Sequence, residues 1–397
     1  MQEKKPHIVF IVSWYKTPQS PVSGTFFEEQ ARMFQKRGHK VGILYPRHEI
    51  RFLGNTRKNN ERTPQSIVDK GIPTYYSFTQ SFIPKKDYPT KIDLFFINNS
   101  AYSTYKAYVK QYGKPDLIHA QSTIYAGIVA RFISRKEKIP YFLTKHFTGW
   151  ILSEKMQRFK AYHNILKEVI NDSEKTFIVS PFYKEELLKY FAFNPKKINV
   201  VPNIVNSLFC ENKQEITLDG KVNLIVIGYL VERKNHLTLF KSIKILVESG
   251  KDIILHVVGN GRFENNLKEF VIQNKLEKSI IFHGLLERNQ VLQLIKKSHI
   301  LVSSSEFETF GVNIIEALAV GRPVAVLDSG GPRDIVTEKD GILIEENTPE
   351  AFHEAIKLMI NNYESFDQKE IAESCHQKFG EERVYNTLIS FYKNTIT

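Results

Sequence analysis

A chain of 397 residues, 42% of them apolar, is long for one hydrophobic core and well supplied to bury two, which excludes disorder as its resting state. Lys and Arg outnumber Asp and Glu 55 to 43, a formal net charge of +12 that suits partners carrying phosphate or an anionic membrane surface; no zinc-finger spacing, RNP-like aromatic motif or dense basic helix accompanies it, so nucleic acid is not expected. Cys210 and Cys375, far apart in sequence, exclude a disulfide scaffold and a thiolate metal cluster and fit a reducing, cytoplasmic setting.

Lys4 and Lys5 precede an apolar run, His7 to Val12, that is too short for a signal peptide, and Trp14-Tyr15-Lys16 offers no small-residue cleavage site. The run reads as a first strand, Ile8 to Ser13. It is followed by a helix over about Thr25 to Arg37, a strand at Val41 to Tyr45 and a helix through Phe95 to Tyr112. Strands at Leu117 to His119, Tyr141 to Thr144 and Thr176 to Val179 complete the first half. The second half repeats the alternation with strands at Leu224 to Ile227, Ile253 to Val258, Ile280 to Phe282, Ile300 to Val302, Val324 to Leu327 and Ile342 to Ile344. Such alternation predicts an α/β protein with two Rossmann-like, doubly wound parallel sheets, one per half. The boundary is expected after Val200-Val201-Pro202-Asn203, in the polar segment from Asn206 to Lys221. Domains of 1–205 and 206–379 follow, with ligands expected outside the carboxyl ends of the strands in a cleft between the halves. No apolar stretch is long enough to cross a bilayer, so any membrane association is expected to be peripheral, on the inner face.

The most informative stretch is Glu308-Thr309-Phe310-Gly311-Val312-Asn313-Ile314-Ile315-Glu316, followed by Ala-Leu-Ala-Val-Gly-Arg-Pro-Val. It follows an apolar run, His299 to Val302, and a polar turn, Ser303-Ser304-Ser305, so it predicts a strand, a loop and a helix opening near Gly311. Amides of Phe310, Gly311 and Val312, with the positive end of the helix dipole, form an anion site in that geometry. Glu316 falls among Ile314, Ile315, Ala317 and Leu318, where an unpaired carboxylate is costly to bury, so hydroxyl or amide partners are expected for it. An isolated pair of helical glutamates reads more simply as solvated charge. Gly228-Tyr-Leu-Val-Glu-Arg233-Lys234-Asn235 leaves a strand and enters a helix, placing two cations where a strand-end phosphate sits. By themselves they are equally well two solvated charges on a loop. Val257-Val258-Gly259-Asn260-Gly261 is a second strand-turn-helix junction, and Gly330-Gly331-Pro332-Arg333-Asp334 reads as a turn with a minor role.

The run from Ser305 through Glu316 to Val324 resembles the donor-binding signature of retaining glycosyltransferases of family 4, with the GT-B fold. The resemblance covers nearly the whole chain and implies roles. Glu308 would hold hydroxyls of the transferred sugar, Glu316 the ribose hydroxyls, and Arg233 and Lys234 the diphosphate, while the Gly259 loop would border the nucleotide base. Pro21-Val22-Ser23-Gly24-Thr25-Phe26-Phe27-Glu28-Glu29-Gln30 resembles the family's glycine loop and first helix in enzymes of envelope sugars, with Ser23 where many members have a second glycine. Ser23 is expected on the acceptor side and Gly24 near the donor phosphates. His146 matches a strand-end histidine that contacts the transferring sugar. His119-Ala120-Gln121 departs from a frequent His-x-His pattern, leaving His119 as a cleft residue, and Val201-Pro202-Asn203-Ile204-Val205-Asn206 departs from Pro-Asn-Gly-Val-Asp, leaving Asn203 as another. In the resembled fold a final helix, about 380–397, returns to the first domain.

The activity implied is transfer of a sugar from a nucleotide diphosphate sugar to a glycan or lipid-linked acceptor hydroxyl, in capsule, lipopolysaccharide or related bacterial surface polysaccharide assembly. The chain contains no Asp-x-Asp, so neither metal nor cofactor is expected. A basic stretch from Arg47 to Arg62, including Arg51, Arg57 and Lys58, is a candidate contact for a lipid-linked diphosphate or an anionic membrane, and equally a solvated loop. Within the same fold the alternatives are a nucleotide-sugar epimerase or a glucan phosphorylase. Outside catalysis, the alternative is a sugar-nucleotide-binding partner.

Overall fold

A computed structural model describes residues 5–16, 23–50, 66–81, 90–146, 160–211 and 215–396. The chain divides into two compact units: Met1–Val179, Lys184–Val201 and Tyr385–Thr397 make the first, and Ser180–Tyr183 with Pro202–Val384 the second. The division thus falls at Val201/Pro202 rather than after residue 205, and the last stretch of chain rejoins the first unit from Tyr385 rather than from about 380.

The first unit is built on β1 (Ile8–Val12), β2 (Val41–Ile50), β3 (Ser66–Asp69), β4 (Ile72–Ser81), β5 (Leu117–Gln121), β6 (Tyr141–Lys145), β7 (Thr176–Ile178) and β8 (Ile198–Val200). Its sheet has the order β3-β4-β2-β1-β5-β6-β7-β8 and is parallel except where β3 pairs antiparallel with β4. Every residue of β1, β5 and β6 is buried, as expected of strands covered by helices on both faces. The β3–β4 hairpin, turning at Lys70-Gly71 with φ of 48° and 81°, is an edge feature absent from the sequence reading; its strands lack the continuous apolar run of the central ones. The helix expected from Phe95 begins at Lys91, where Thr90 and Asp93 form a capping box. In the terminal segment, Tyr385 and Tyr392 are hydrogen-bonded to His39 (2.9 Å) and His119 (2.5 Å).

The second unit carries β9 (Val222–Ile227), β10 (Ile253–Val258), β11 (Ile280–Gly284), β12 (Ile300–Ser303), β13 (Val324–Leu327) and β14 (Gly341–Ile344). All neighbours are parallel in the order β11-β10-β9-β12-β13-β14. Read from its own first strand this is 3-2-1-4-5-6, so the order reverses between β9 and β12 and a ligand crevice opens beyond their carboxyl ends. The corresponding reversal in the first unit lies between β1 and β5. Asn206 caps a helical turn, Ser207–Cys210, within the polar segment read as the boundary. The two cysteines, remote in sequence, act on each other here: burial pushes the Cys375 thiol well up and Cys210 adds to the shift. Among the described residues, no helix is long and apolar enough to cross a membrane.

Candidate active site

Lys234 and Glu308 meet at the reversal point of the second sheet. Lys234 ends a short 3-10 turn, Glu232–Lys234, after β9, and its Nζ is ion-paired and hydrogen-bonded to Glu308 Oε1; both side chains are largely buried. The backbone fixes this meeting. Ser304 Oγ donates to the Lys234 carbonyl (3.0 Å) and the Glu306 amide to the Arg233 carbonyl (3.0 Å), so the loop after β12 is laced to the loop after β9. Arg233, expected to act with Lys234, has an exposed side chain, and its backbone carbonyl braces the site. Gly259 has a structural reason to be glycine: a Cβ there would fall 1.9 Å from the Gly228 carbonyl oxygen, at φ 137°. The loops after β9 and β10 therefore touch backbone to backbone, with the Leu230 amide donating to the Asn260 carbonyl (2.9 Å).

On its other side Glu308 is held by the segment read as a minor turn. Its amide donates to the Ser329 carbonyl (3.1 Å), its carbonyl accepts from the Gly331 amide (2.8 Å), and Glu308 and Gly330 form a parallel bridge that extends the β12–β13 pairing. A side chain at Gly331 would lie 2.4 Å from the Phe310 amide nitrogen, so only glycine admits this approach. The turn reading of Gly330-Gly331-Pro332-Arg333-Asp334 is thus corrected: residues Gly331–Asp334 form a 3-10 turn that clamps the Glu308 loop. Gly311, at φ 119°, caps the helix Val312–Ala319, whose first internal hydrogen bond is made by the Ile314 amide; the amides before it have no acceptor within the helix. Asn313, missed in the sequence, aims this end: its Nδ2 donates to the Ile227 carbonyl at the end of β9 (2.9 Å). Phe310 is buried in the same loop.

Glu316 lies about one turn into that helix, 6% exposed, and its partner is neither hydroxyl nor amide. Arg288, the first residue of the helix Arg288–Lys297, donates from a guanidinium nitrogen to Glu316 Oε1 at 2.6 Å. Burial raises the Glu316 carboxyl above its ordinary value, and the Arg288 guanidinium partly offsets the shift. Twenty-eight residues separate the pair, and no local pattern announces it.

In the first unit, three expected residues gather at the ends of β1, β5 and β6. Gly24 caps the helix Thr25–Lys36, with the half-buried Ser23 just before it. His146, just past β6, donates from Nε2 to Gln121 Oε1 (2.6 Å), and its ring packs on Phe26 and Phe27 at centroid distances of 4.9 and 5.1 Å. Gln121 Nε2 in turn donates to Gln30. Gln121, which departs from the expected histidine, is therefore the partner that orients His146. His119 is not a cleft residue. It is fully buried, with Nε2 on Thr144 Oγ1 (2.6 Å) and Nδ1 accepting from Tyr392, and burial lowers its pKa to about 3. Asn203 is half-buried at the start of the second unit. Pro21, Val22, Arg51, Arg57, Lys58 and Arg62 lie outside the described residues, and Arg47 is ion-paired to Glu49.

Comparison with known proteins accords with this geometry. The family of glycosyl transferases group 1 matches residues 210–375, which contain the Lys234, Glu308 and Glu316 cluster, and glycosyltransferase family 4 matches residues 23–207. The chain belongs to these glycosyltransferases. TuaC of Bacillus subtilis strain 168, a glycosyltransferase assigned to teichuronic acid biosynthesis, is 27% identical over 93% of this chain and 92% of its own. Among solved structures, a sucrose-phosphate synthase from Thermosynechococcus elongatus has a TM-score of 0.76 at 17% identity, covering 98% of this chain and 99% of that one. HepE of Anabaena, in complex with UDP and glucose, has a TM-score of 0.72 at 15% identity, covering 97% and 98%. The fold is GT-B, and this family 4 glycosyltransferase is an enzyme that transfers sugar.

Proposed function

We propose that the enzyme is a retaining glycosyltransferase that takes a sugar from a nucleotide diphosphate sugar and passes it to an acceptor hydroxyl in bacterial surface polysaccharide assembly. The observation that carries this reading is the Lys234 ammonium set on Glu308 beside the amide end of the helix Val312–Ala319, at the reversal point of a doubly wound sheet. An ammonium has three donors, so Lys234 can hold Glu308 and a phosphate oxygen together. With the helix amides it stabilises the diphosphate as the sugar leaves, the largest electrostatic demand of the reaction. The Glu308 carboxylate accepts from hydroxyls of the transferred sugar, and Glu316, paired with Arg288, from those of the ribose. The acceptor oxygen forms its bond to the anomeric carbon on the face from which the phosphate oxygen departs, and the acceptor proton passes to that departing oxygen. Because protein groups carry the diphosphate charge, turnover is expected to need no metal. HepE, which binds UDP and glucose, and TuaC, named for a cell-wall polymer, support a nucleotide-linked donor and a surface-glycan pathway.

A thermal-unfolding panel of nucleotide diphosphate sugars, followed by turnover with the stabilising member in EDTA, tests the proposal. At least one donor should raise the midpoint, and Glu308→Gln should lower turnover about 100-fold or more without shifting the midpoint of the free enzyme. No stabilisation by any donor, or undiminished transfer by Glu308→Gln, overturns it. Conversion of donor without acceptor indicates an epimerase instead.

A further inference from the structure

We infer that the outer face of the helix Lys91–Tyr112, in the first unit, docks on an anionic lipid bilayer. A helix covering a sheet normally turns polar residues to water. This one buries Asp93, Ile97, Ala101, Tyr105 and Tyr108, as expected, but leaves Ile92, Phe95 and Phe96 66%, 64% and 59% exposed. Their spacing of i, i+3 and i+4 puts them on one stripe opposite the buried one, and Phe95 and Phe96 are in edge contact at 5.6 Å. Two adjacent exposed phenylalanines beside an isoleucine form a concentrated apolar surface rather than scattered exposure.

The position of the stripe adds to it. The Tyr75 hydroxyl donates to Gln111 (2.6 Å), so the helix runs back along β4 and its first turns lie toward the strand's far end. His48 joins these elements: it is hydrogen-bonded to Thr79 (2.9 Å), burial lowers its pKa, and the nearby Asp93 partly offsets the shift. Farther along the helix the charged residues exposed are basic, Lys106, which reaches Glu137 at 3.8 Å, and Lys110, among uncharged Asn99, Ser103, Ala107 and Gln111, and the one carboxylate on the helix, Asp93, is buried in the capping box.

Charge selects the occupant. Within the bounds of the first unit the sequence carries 34 Lys and Arg against 16 Asp and Glu, and within the second 21 against 27. The excess of positive charge thus belongs wholly to the unit that bears the apolar stripe. An apolar ridge backed by cations matches a surface of hydrocarbon under anionic headgroups.

Co-sedimentation of the full chain with vesicles of phosphatidylcholine alone, and of phosphatidylcholine mixed with phosphatidylglycerol, tests this. The enzyme should pellet with the mixed vesicles, less so as salt is raised, and remain in solution with the neutral ones. Phe95→Ser/Phe96→Ser should weaken binding at least about tenfold with its unfolding midpoint retained. Leu358→Ser, which removes an exposed apolar side chain from the second unit, should leave binding unchanged. Equal binding to neutral vesicles, wild-type affinity in the double variant, or loss of a wild-type dimer on substitution would each overturn the proposal. The result is independent of the donor reading, because stabilisation by a nucleotide sugar should survive the double variant.

Discussion

The strand ends of the second unit gather acid–base pairs, whereas those of the first gather amides and an imidazole. Beyond β9 and β12, Lys234 faces Glu308 and Arg288 faces Glu316. Beyond β5 and β6 the corresponding chain is Gln30, Gln121 and His146, an amide ladder ending on an imidazole packed between phenylalanines. The two arrangements are suited to different parts of one reaction. Fixed charges in a partly dry pocket suit the proposed departure of a diphosphate, and the hydrogen-bonded imidazole of His146 is held in one orientation. Lys234 and Glu308 are braced by backbone contacts between loops, and Gln121 by its side-chain partners together with the Ser13 amide on its carbonyl (3.3 Å).

The largest effect should separate the two regions directly. Lys234→Ala removes the cation paired with Glu308, proposed above to hold the diphosphate, and should lower kcat by about 100- to 1,000-fold, while Gln121→Ala, which frees the His146 ring to turn and leaves Gln30 without its donor, should cost about tenfold or less. Steady-state kinetics of the two variants side by side measure the contrast; equal losses would erase the distinction drawn between the strand ends of the two units.

Next is the buried ion pair. Arg288→Met leaves the Glu316 carboxylate without its guanidinium, and because Arg288 is partly exposed the loss should be about 2 kcal/mol, below that of a fully buried pair. Denaturant unfolding should show most of it restored in Arg288→Met/Glu316→Leu. Failure of the double variant to recover would mean that packing, not charge, holds the two helices.

A smaller effect should appear in the first unit, in the pH dependence. His119 has a folded pKa of about 3, below its unfolded value near 6.5, so its stabilising contribution is complete above pH 6.5 and is lost as the pH falls toward 3. Between pH 7 and pH 5 the unfolded chain gains a proton that the native site refuses, a loss of about 2 kcal/mol. His119→Gln should lose that part of the slope in unfolding free energy measured at the two pH values. An unchanged slope would show that His119 is not the group that titrates.

Much of the architecture is legible in the residues. Continuous runs such as Ile8-Val9-Phe10-Ile11-Val12 and Val324-Ala325-Val326-Leu327 can only be strands buried on both faces, and their alternation with helical patterns dictates parallel sheets. The edge hairpin was not legible, because Ser66–Asp69 is half-exposed and carries little apolar signal. Of the candidate site, Lys234, Glu308 and Glu316 stand out locally, since a polar loop entering an apolar helix is unusual at any position. Arg288, Asn313 and Gln121 do not. Each takes meaning from a partner at least 25 residues away, at Glu316, Ile227 and His146.

The linear order of residues by itself determined the strands, the helix starts and the carboxylates eight apart around a glycine, because these follow from local steric and hydrophobic preferences. Tertiary structure alone decided that Lys234 meets Glu308, that Arg288 pairs with Glu316, that the Gly331 turn clamps the loop, and that His119 is core while His146 is site. Those outcomes depend on which strand ends become neighbours, and β9 and β12 are brought side by side only when the sheet closes its order. Chain-distant charges find partners through that register, which no short segment encodes.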